Sequence, residues 1–375
     1  MKNGKIGIGF VGVGDISGIY LKNLTSTFRE VEIIGVCDLV RAKAEKAVET
    51  YGIPKIYDDM HQLFADPDVD IVLNITRPYE HFEVTKAALL AGKHVYTEKP
   101  LAPTLEEGRE LVALAAEKGL LLGGAPDTFM GAGIQTCRKL IDSGFIGEPI
   151  GGAAFMICRG HETWHPDPEF YYKHGGGPML DMGPYYVTAL INLLGGVKSV
   201  MGMTAVPYPK RVISSAPKFG QIIDVDVPTT VGGMMEFTSG ATGTIFTTFD
   251  VSYASSARLE IYGSEGTLFC PDPNTFGGEV KLLRRGSKEA GIVPLSFGYA
   301  QNSRGLGLAD MAKSVAAKLA GDDRPFRANT QQILHALELM TSFAKSAESG
   351  SRITLDTPYT RSSPMTYDEL PGVLS

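Results

Sequence analysis

The sequence predicts a two-part α/β protein: an N-terminal doubly wound parallel sheet, then an α/β domain with a large open, mostly antiparallel sheet. Two patterns and the length predict it. Up to about Gly124, short apolar strands alternate with helical stretches; beyond it, β-branched segments broken by Gly or Pro follow one another. At 375 residues the chain exceeds what one hydrophobic core usually serves. The boundary is placed at 124/125, giving domains 1–124 and 125–375.

The first part reads as strands 5–11, 31–37, 70–75, 93–96 and 120–123, with helices at 15–28, 41–51, 79–91 and 104–118. Its most informative stretch is Lys5-Ile6-Gly7-Ile8-Gly9-Phe10-Val11-Gly12-Val13-Gly14-Asp15-Ile16-Ser17, an apolar strand that breaks into glycines and opens a helix. That is the Rossmann device for holding a dinucleotide. Gly12 allows the tight turn, Gly14 lets the backbone approach a pyrophosphate, and the helix start at Asp15 and Ile16 turns free N–H groups to the anion. Ser17 stands where a third glycine or alanine is usual. Strand 31–37 ends at Asp38, where a carboxylate meets the ribose hydroxyls of the adenosine half. Asp38 favours NAD over NADP by repelling a 2′-phosphate, although Arg41 could pair with that phosphate and leave NADP open. The bland alternative for Asp38 is a cap on the next helix. The switch point of such a sheet would gather Gly12, Asp38, Thr76 and Glu98 to Pro100.

Beyond the boundary a helix at about 130–142 leads to strands at 149–158, 197–206, 229–237, 241–251, 257–262, 266–270 and 279–284, and to helices at 303–320 and 330–348. A large sheet with one bare face is a natural surface for a second copy, so a homodimer or homotetramer is expected.

Two places carry chemistry. Lys99, in Tyr96-Thr97-Glu98-Lys99-Pro100, stands at the end of a strand beside the expected nicotinamide. Its ammonium can stabilise alkoxide character while hydride leaves carbon, and can lower the pKa of a neighbouring acid. Gly175-Gly176-Gly177-Pro178-Met179-Leu180-Asp181-Met182-Gly183-Pro184-Tyr185 opens an apolar helix with Asp181 and Tyr185 four apart. On one helical face they suit a carboxylate that positions a hydroxyl and a phenol that carries its proton. The simpler accounts are a solvated Glu98–Lys99 pair, an Asp181 cap and packing tyrosines.

With these residues in view, the chain resembles the Gfo/Idh/MocA family of NAD(P)-dependent sugar and cyclitol oxidoreductases over almost its whole length. The glycine loop at 9–17, Ala91 to Pro100, Leu140-Ile141-Asp142-Ser143-Gly144-Phe145-Ile146-Gly147 and the triple-glycine stretch through Tyr185 carry the likeness. The resemblance puts the catalytic lysine on Lys99, the motif aspartate on Asp181 and the motif histidine on Tyr185. Tyr at that position is similar to the glucose–fructose oxidoreductase and dihydrodiol dehydrogenase branches. Thr76-Arg77-Pro78 departs from the usual Thr-Pro-Asn, while His81 keeps the expected offset and joins Thr76, Glu98 and Lys99 as a cofactor candidate.

For the substrate, the loop 158–174 combines Arg159, His161, Lys173 and His174 with the only tryptophan, Trp164. An aromatic platform suits a pyranose, and the cations suit a carboxylate, phosphate or sulfonate, so an acidic or sulfonated sugar is a candidate. Asp127 is a further candidate for hydroxyl contacts. The net charge of −7 and the lack of a basic run argue against nucleic acid. No apolar stretch spans a bilayer and no leader is visible, so a cytoplasmic protein is expected, with no membrane partner. Cys37, Cys137, Cys158 and Cys270 are scattered, and neither a disulfide nor a metal is expected. The leading reading is a dehydrogenase transferring hydride between NAD and a sugar hydroxyl or ketone. An NAD-dependent glycosidase that oxidises, eliminates, hydrates and re-reduces would use the same residues, and a non-catalytic NAD sensor conflicts with Lys99 and Asp181.

Overall fold

A computed structural model describes residues 4–254 and 258–366. The chain forms two compact units. The first takes the described residues through Ala132, Phe297–Leu334 and the described residues from Ser362; the second takes Gly133–Ser296 and His335–Arg361.

In the first unit, β1 (Ile6–Val11), β2 (Val31–Cys37), β3 (Ile71–Asn74), β4 (His94–Thr97) and β5 (Leu122–Gly124) form an all-parallel sheet in the order β2-β1-β3-β4-β5. Ile56 adds a single parallel bridge to Val36 on the outer side of β2. That bridge is the remnant of the outer strand of a Rossmann sheet, and it leaves the switch point between β1 and β3. Both faces are covered, and β1 is buried along its whole length, which is why it reads as a continuous apolar run. The helices are α1 (Ser17–Ser26), α2 (Arg41–Tyr51), α3 (Met60–Ala65), α4 (His81–Leu90) and α5 (Leu105–Glu117). Local chemistry sets their ends: Asp59 caps α3 through Gln62 N, and Thr104 and Glu107 close a capping box on α5.

The second unit contains α6 (Ala132–Asp142, whose first residue belongs to the first unit), β6 (Pro149–Ile157), α7 (Pro178–Asp181), α8 (Gly183–Leu194), β7 (Val197–Ala205), β8 (Lys210–Val212) and β9 (Ile222–Asp224). After them come β10 (Thr230–Phe237), β11 (Thr242–Thr248), β12 (Leu259–Gly263), β13 (Gly266–Cys270), β14 (Val280–Arg284) and β15 (Gly291–Val293). The last elements are α9 (Leu306–Leu319) in the first unit, α10 (Thr330–Ser349), which begins there and continues in the second, and β16 (Ile353–Thr354). Nine strands form one sheet in the order β15-β14-β13-β12-β6-β11-β10-β7-β16. Every neighbouring pair is antiparallel except β6 and β11. Residue 257, the start of the strand expected at 257–262, lies outside the described residues. β8 and β9 form a separate hairpin that the sequence pattern did not predict.

The two faces of this sheet differ. Phe343 of α10 sits so close to Gly202 and Gly233 that a Cβ at either would strike it, and α8 is buried throughout. On the other face Met201 and Met234 are cross-strand partners, half exposed, and Met203 is 80% exposed. Among the described residues, no helix is long and apolar enough to cross a membrane.

Candidate active site

The glycine loop follows β1 directly. Gly12 has φ +95°, and a Cβ there would lie 2.6 Å from the carbonyl oxygen of Ile75, so only glycine fits. At Gly14 a Cβ would meet nothing within 4 Å, which leaves that stretch of backbone bare on its outer side. Asp15 and Ile16 are exposed beside it, and Ser17 turns its hydroxyl back to Gly14 O at 2.6 Å to start α1. Asp38 accepts Val13 N and Val40 N, each at 2.7 Å, so its carboxylate ties the end of β2 to the glycine loop. Arg41 faces Asp58 at 2.7 Å and Glu45 at 3.1 Å. A bare glycine turn at a helix start, with a carboxylate one strand away, fits the pyrophosphate and ribose of a dinucleotide.

Lys99 is half-buried in a turn held from several sides. Glu98 N donates to Asn74 O at 2.8 Å, and the Glu98 carboxylate accepts Tyr20 OH at 2.7 Å and Lys99 N at 3.0 Å. The Lys99–Pro100 peptide is cis. His81, expected as a cofactor ligand, is instead buried: Nδ1 faces Pro100 O at 2.6 Å and Nε2 faces Thr76 O at 3.1 Å. It braces the loop after β3 against the Lys99 turn, and burial holds its imidazole below the ordinary pKa. Thr76 donates to Asn74 Oδ1 at 2.7 Å, fixing the same loop.

Asp127 also needs correcting as a substrate contact. It is 1% exposed, and Oδ2 accepts Gly305 N at 2.9 Å and Gly307 N at 3.0 Å, closing the start of α9. Burial pushes its pKa up to about 6 from an ordinary 3.8. The native state therefore binds the proton more tightly, and stability is lost as pH rises from about 4 to 6. An Asp127→Asn protein keeps an accepting oxygen and has no such loss. Urea unfolding at pH 4 and pH 7 should show the variant gaining about 2 kcal/mol on the parent across that interval. An equal slope in both proteins would refute this.

In the second unit, Gly177 has φ +86° and feeds α7, whose last residue is Asp181. Met182, between α7 and α8, keeps helical angles of φ −104° and ψ −28°, so Tyr185 follows Asp181 by about one turn, as the spacing predicts. Asp181 is half-buried and Tyr185 buried. His161, expected as a substrate ligand, serves Asp181 instead: Nε2 meets Asp181 Oδ2 at 2.9 Å, and Nδ1 accepts Trp164 Nε1–H at 3.1 Å. Trp164 is 61% exposed, and Phe170 and Tyr171 lie against each other at a tilt with ring centroids 4.0 Å apart, so aromatic surface is present in this loop. Of the expected cations, Lys173 is paired with Asp226 at 2.8 Å, while Arg159 and His174 are exposed.

Sequence reading missed what holds this loop. Arg211 on β8 is buried between Glu162, at 2.7 Å, and Asp250, and stacks over Tyr172 at 5.0 Å. Glu162 also accepts the Tyr172 hydroxyl, and its carbonyl accepts Ser214 N at 2.9 Å. A lone Arg between exposed Lys210 and Val212 was the only signal. Among the described residues, no group of three His, Cys, Asp or Glu could hold a metal ion.

A parallel sheet with this glycine turn, acid and strand-end lysine defines a nucleotide-binding oxidoreductase fold. Residues 6–124 match the family described as "Oxidoreductase family, NAD-binding Rossmann fold", and residues 134–269 match the "GFO/IDH/MocA C-terminal domain". The chain belongs to the Gfo/Idh/MocA oxidoreductase family and carries its NAD-binding domain. It is 27% identical over 259 residues to scyllo-inositol 2-dehydrogenase (NAD(+)) of Bacillus subtilis, covering 69% of this chain and 72% of that one. It is 30% identical over 204 residues to D-xylose dehydrogenase of Paenarthrobacter nicotinovorans, covering 53% of this chain and 52% of that one, about half of that relative's length. An NAD binding oxidoreductase from Klebsiella pneumoniae shares the fold, with a TM-score of 0.77 at 22% identity, over 94% of this chain and 100% of that one.

Proposed function

We propose that the protein is an NAD-dependent dehydrogenase of a neutral sugar or cyclitol, with residues 1–124 serving the cofactor and 125–375 the substrate and self-association. The supporting observation is the pairing of Asp181 and Tyr185 on one helical turn, in a chain that also presents Lys99 from a braced turn after β4. NAD, when bound, supplies the hydride acceptor. Gly12, Gly14, Asp15 and Ile16 would hold its pyrophosphate and Asp38 its ribose; Arg41, engaged by Asp58 and Glu45, supports NAD over NADP. Lys99 donates to the reacting oxygen and stabilises its alkoxide character. Asp181 orients a substrate hydroxyl, and Tyr185, acting as the phenolate, accepts the hydroxyl proton and becomes the phenol.

The relatives' printed names support the substrate class: one acts on scyllo-inositol and another on D-xylose. A neutral polyol is favoured because Lys173 already faces Asp226 and His161 is engaged by Asp181. The four cysteines are free, which suits a cytoplasmic location. The bare face bearing Met201, Met203 and Met234 suits a homodimer or homotetramer.

The test is NADH absorbance with NAD and a panel of free sugars, inositols and sugar acids, each sugar paired with its simple glycoside. NADH should accumulate with a neutral polyol. Response to sugar acids alone would reverse the charge assignment. Glycoside cleavage without net NADH would replace the dehydrogenase by the redox-neutral glycosidase.

A further inference from the structure

A short chain of hydrogen bonds in the second unit ends on the carboxylate assigned to the substrate. Trp164 Nε1 lies 3.1 Å from His161 Nδ1, and His161 Nε2 lies 2.9 Å from Asp181 Oδ2. An indole N–H only donates, so Nδ1 must be the bare nitrogen. The hydrogen is then on Nε2, and Asp181 accepts it. The imidazole is 9% exposed and walled by Tyr171 and Phe249, with ring centroids at 4.2 and 4.6 Å, so it is not free to turn over.

We propose that Trp164 is a positioning residue: its N–H locks His161 in the Nε2–H form, so that Asp181 meets a neutral donor and keeps its negative charge for the substrate hydroxyl. This rests on the reading of Asp181 given above. Adding a proton to Nδ1 would set N–H against N–H, so the indole opposes the imidazolium. Without the indole N–H, an imidazolium would form a charge-assisted bond to Asp181 and draw on its charge.

The other charged and titratable groups nearby come from several elements. Glu162, next in the chain, is turned to Arg211 of β8 and to Tyr172, and Asp250, after β11, takes the far side of Arg211. Tyr171 packs against the ring at a tilt, His165 meets Trp164 edge-on, and Cys158 follows β6 near Asp181. The Glu162–Arg211–Asp250 set fixes the backbone of the turn that presents His161. Asp181 holds the ring hydrogen on Nε2, and Trp164 keeps Nδ1 bare.

Trp164→Phe keeps an aromatic ring at an exposed position and removes the N–H donor. Ring nitrogen shifts of His161 are read by long-range proton–nitrogen correlation from pH 5 to 9 in histidine-labelled protein, alongside kcat/KM for whichever polyol is oxidised. The parent ring should show the Nε2–H pattern. The variant should show a protonated Nδ1 where the parent ring keeps it bare, and kcat/KM should fall in the same samples. Nδ1–H in the parent, or the same ring pattern in parent and variant, would overturn the lock. A changed ring pattern with unchanged kcat/KM would overturn its link to Asp181. If the parent oxidises no polyol, the dehydrogenase reading has failed, and the ring spectra still decide the lock.

Discussion

Lys99→Met is expected to lower kcat by about a thousandfold while the protein stays folded, with tenfold the smallest loss compatible with the assigned role. Methionine keeps the length and apolar stem of lysine and removes the ammonium, so the measurement isolates charge from packing. The turn itself should survive: its bonds run through Glu98 to Tyr20, Asn74 and the Lys99 amide, and through Pro100 O to His81, none of which uses the lysine side chain. Cofactor binding, followed by NADH fluorescence, should weaken far less than kcat falls, because the glycine loop and Asp38 supply the anion and ribose contacts. Unchanged kcat with bound cofactor would remove Lys99 from the chemistry. Loss of NADH binding equal to the loss of kcat would make Lys99 a cofactor ligand alone.

What could be read from the sequence was what neighbouring residues decide. The glycine loop, the acid ending β2 and the helical spacing of Asp181 and Tyr185 are local patterns, and each has the predicted geometry. The long strands of the large sheet were legible for the same reason, since alternation and Gly/Pro punctuation are properties of short windows. Long-range partners were not legible. Asp127 looks like a turn residue until Gly305 and Gly307, far along the chain, bring their N–H groups to it. His81 keeps a spacing that suggests a ligand, yet its ring faces two carbonyls, one of them from Pro100. His161 and Asp181 are 20 residues apart across an irregular loop, so no periodicity links them. The β8–β9 hairpin escaped because three-residue strands carry almost no pattern, and its purpose is visible only where Arg211 meets Glu162 and Asp250.

Asp181→Asn and Tyr185→Phe are each expected to cost between a hundredfold and ten-thousandfold in kcat/KM, and the double variant is expected to cost little more than the worse single one. Non-additivity follows from the division of labour: a phenol can carry the proton usefully only when the hydroxyl is oriented, and orientation gains nothing once the carrier is gone. Asp181→Asn is the more informative change, because its amide oxygen can still accept from His161 Nε2–H and preserve the Trp164–His161 chain, while the charge is lost. Packing should hold, since the substitution is nearly isosteric and Asp181 is only half-buried at the end of α7. Steady-state kinetics of the four proteins on one substrate decide the matter. Additive losses would mean that Asp181 and Tyr185 act on separate steps, and a loss below tenfold in Tyr185→Phe would take the proton from the phenol and require another carrier on the same carboxylate.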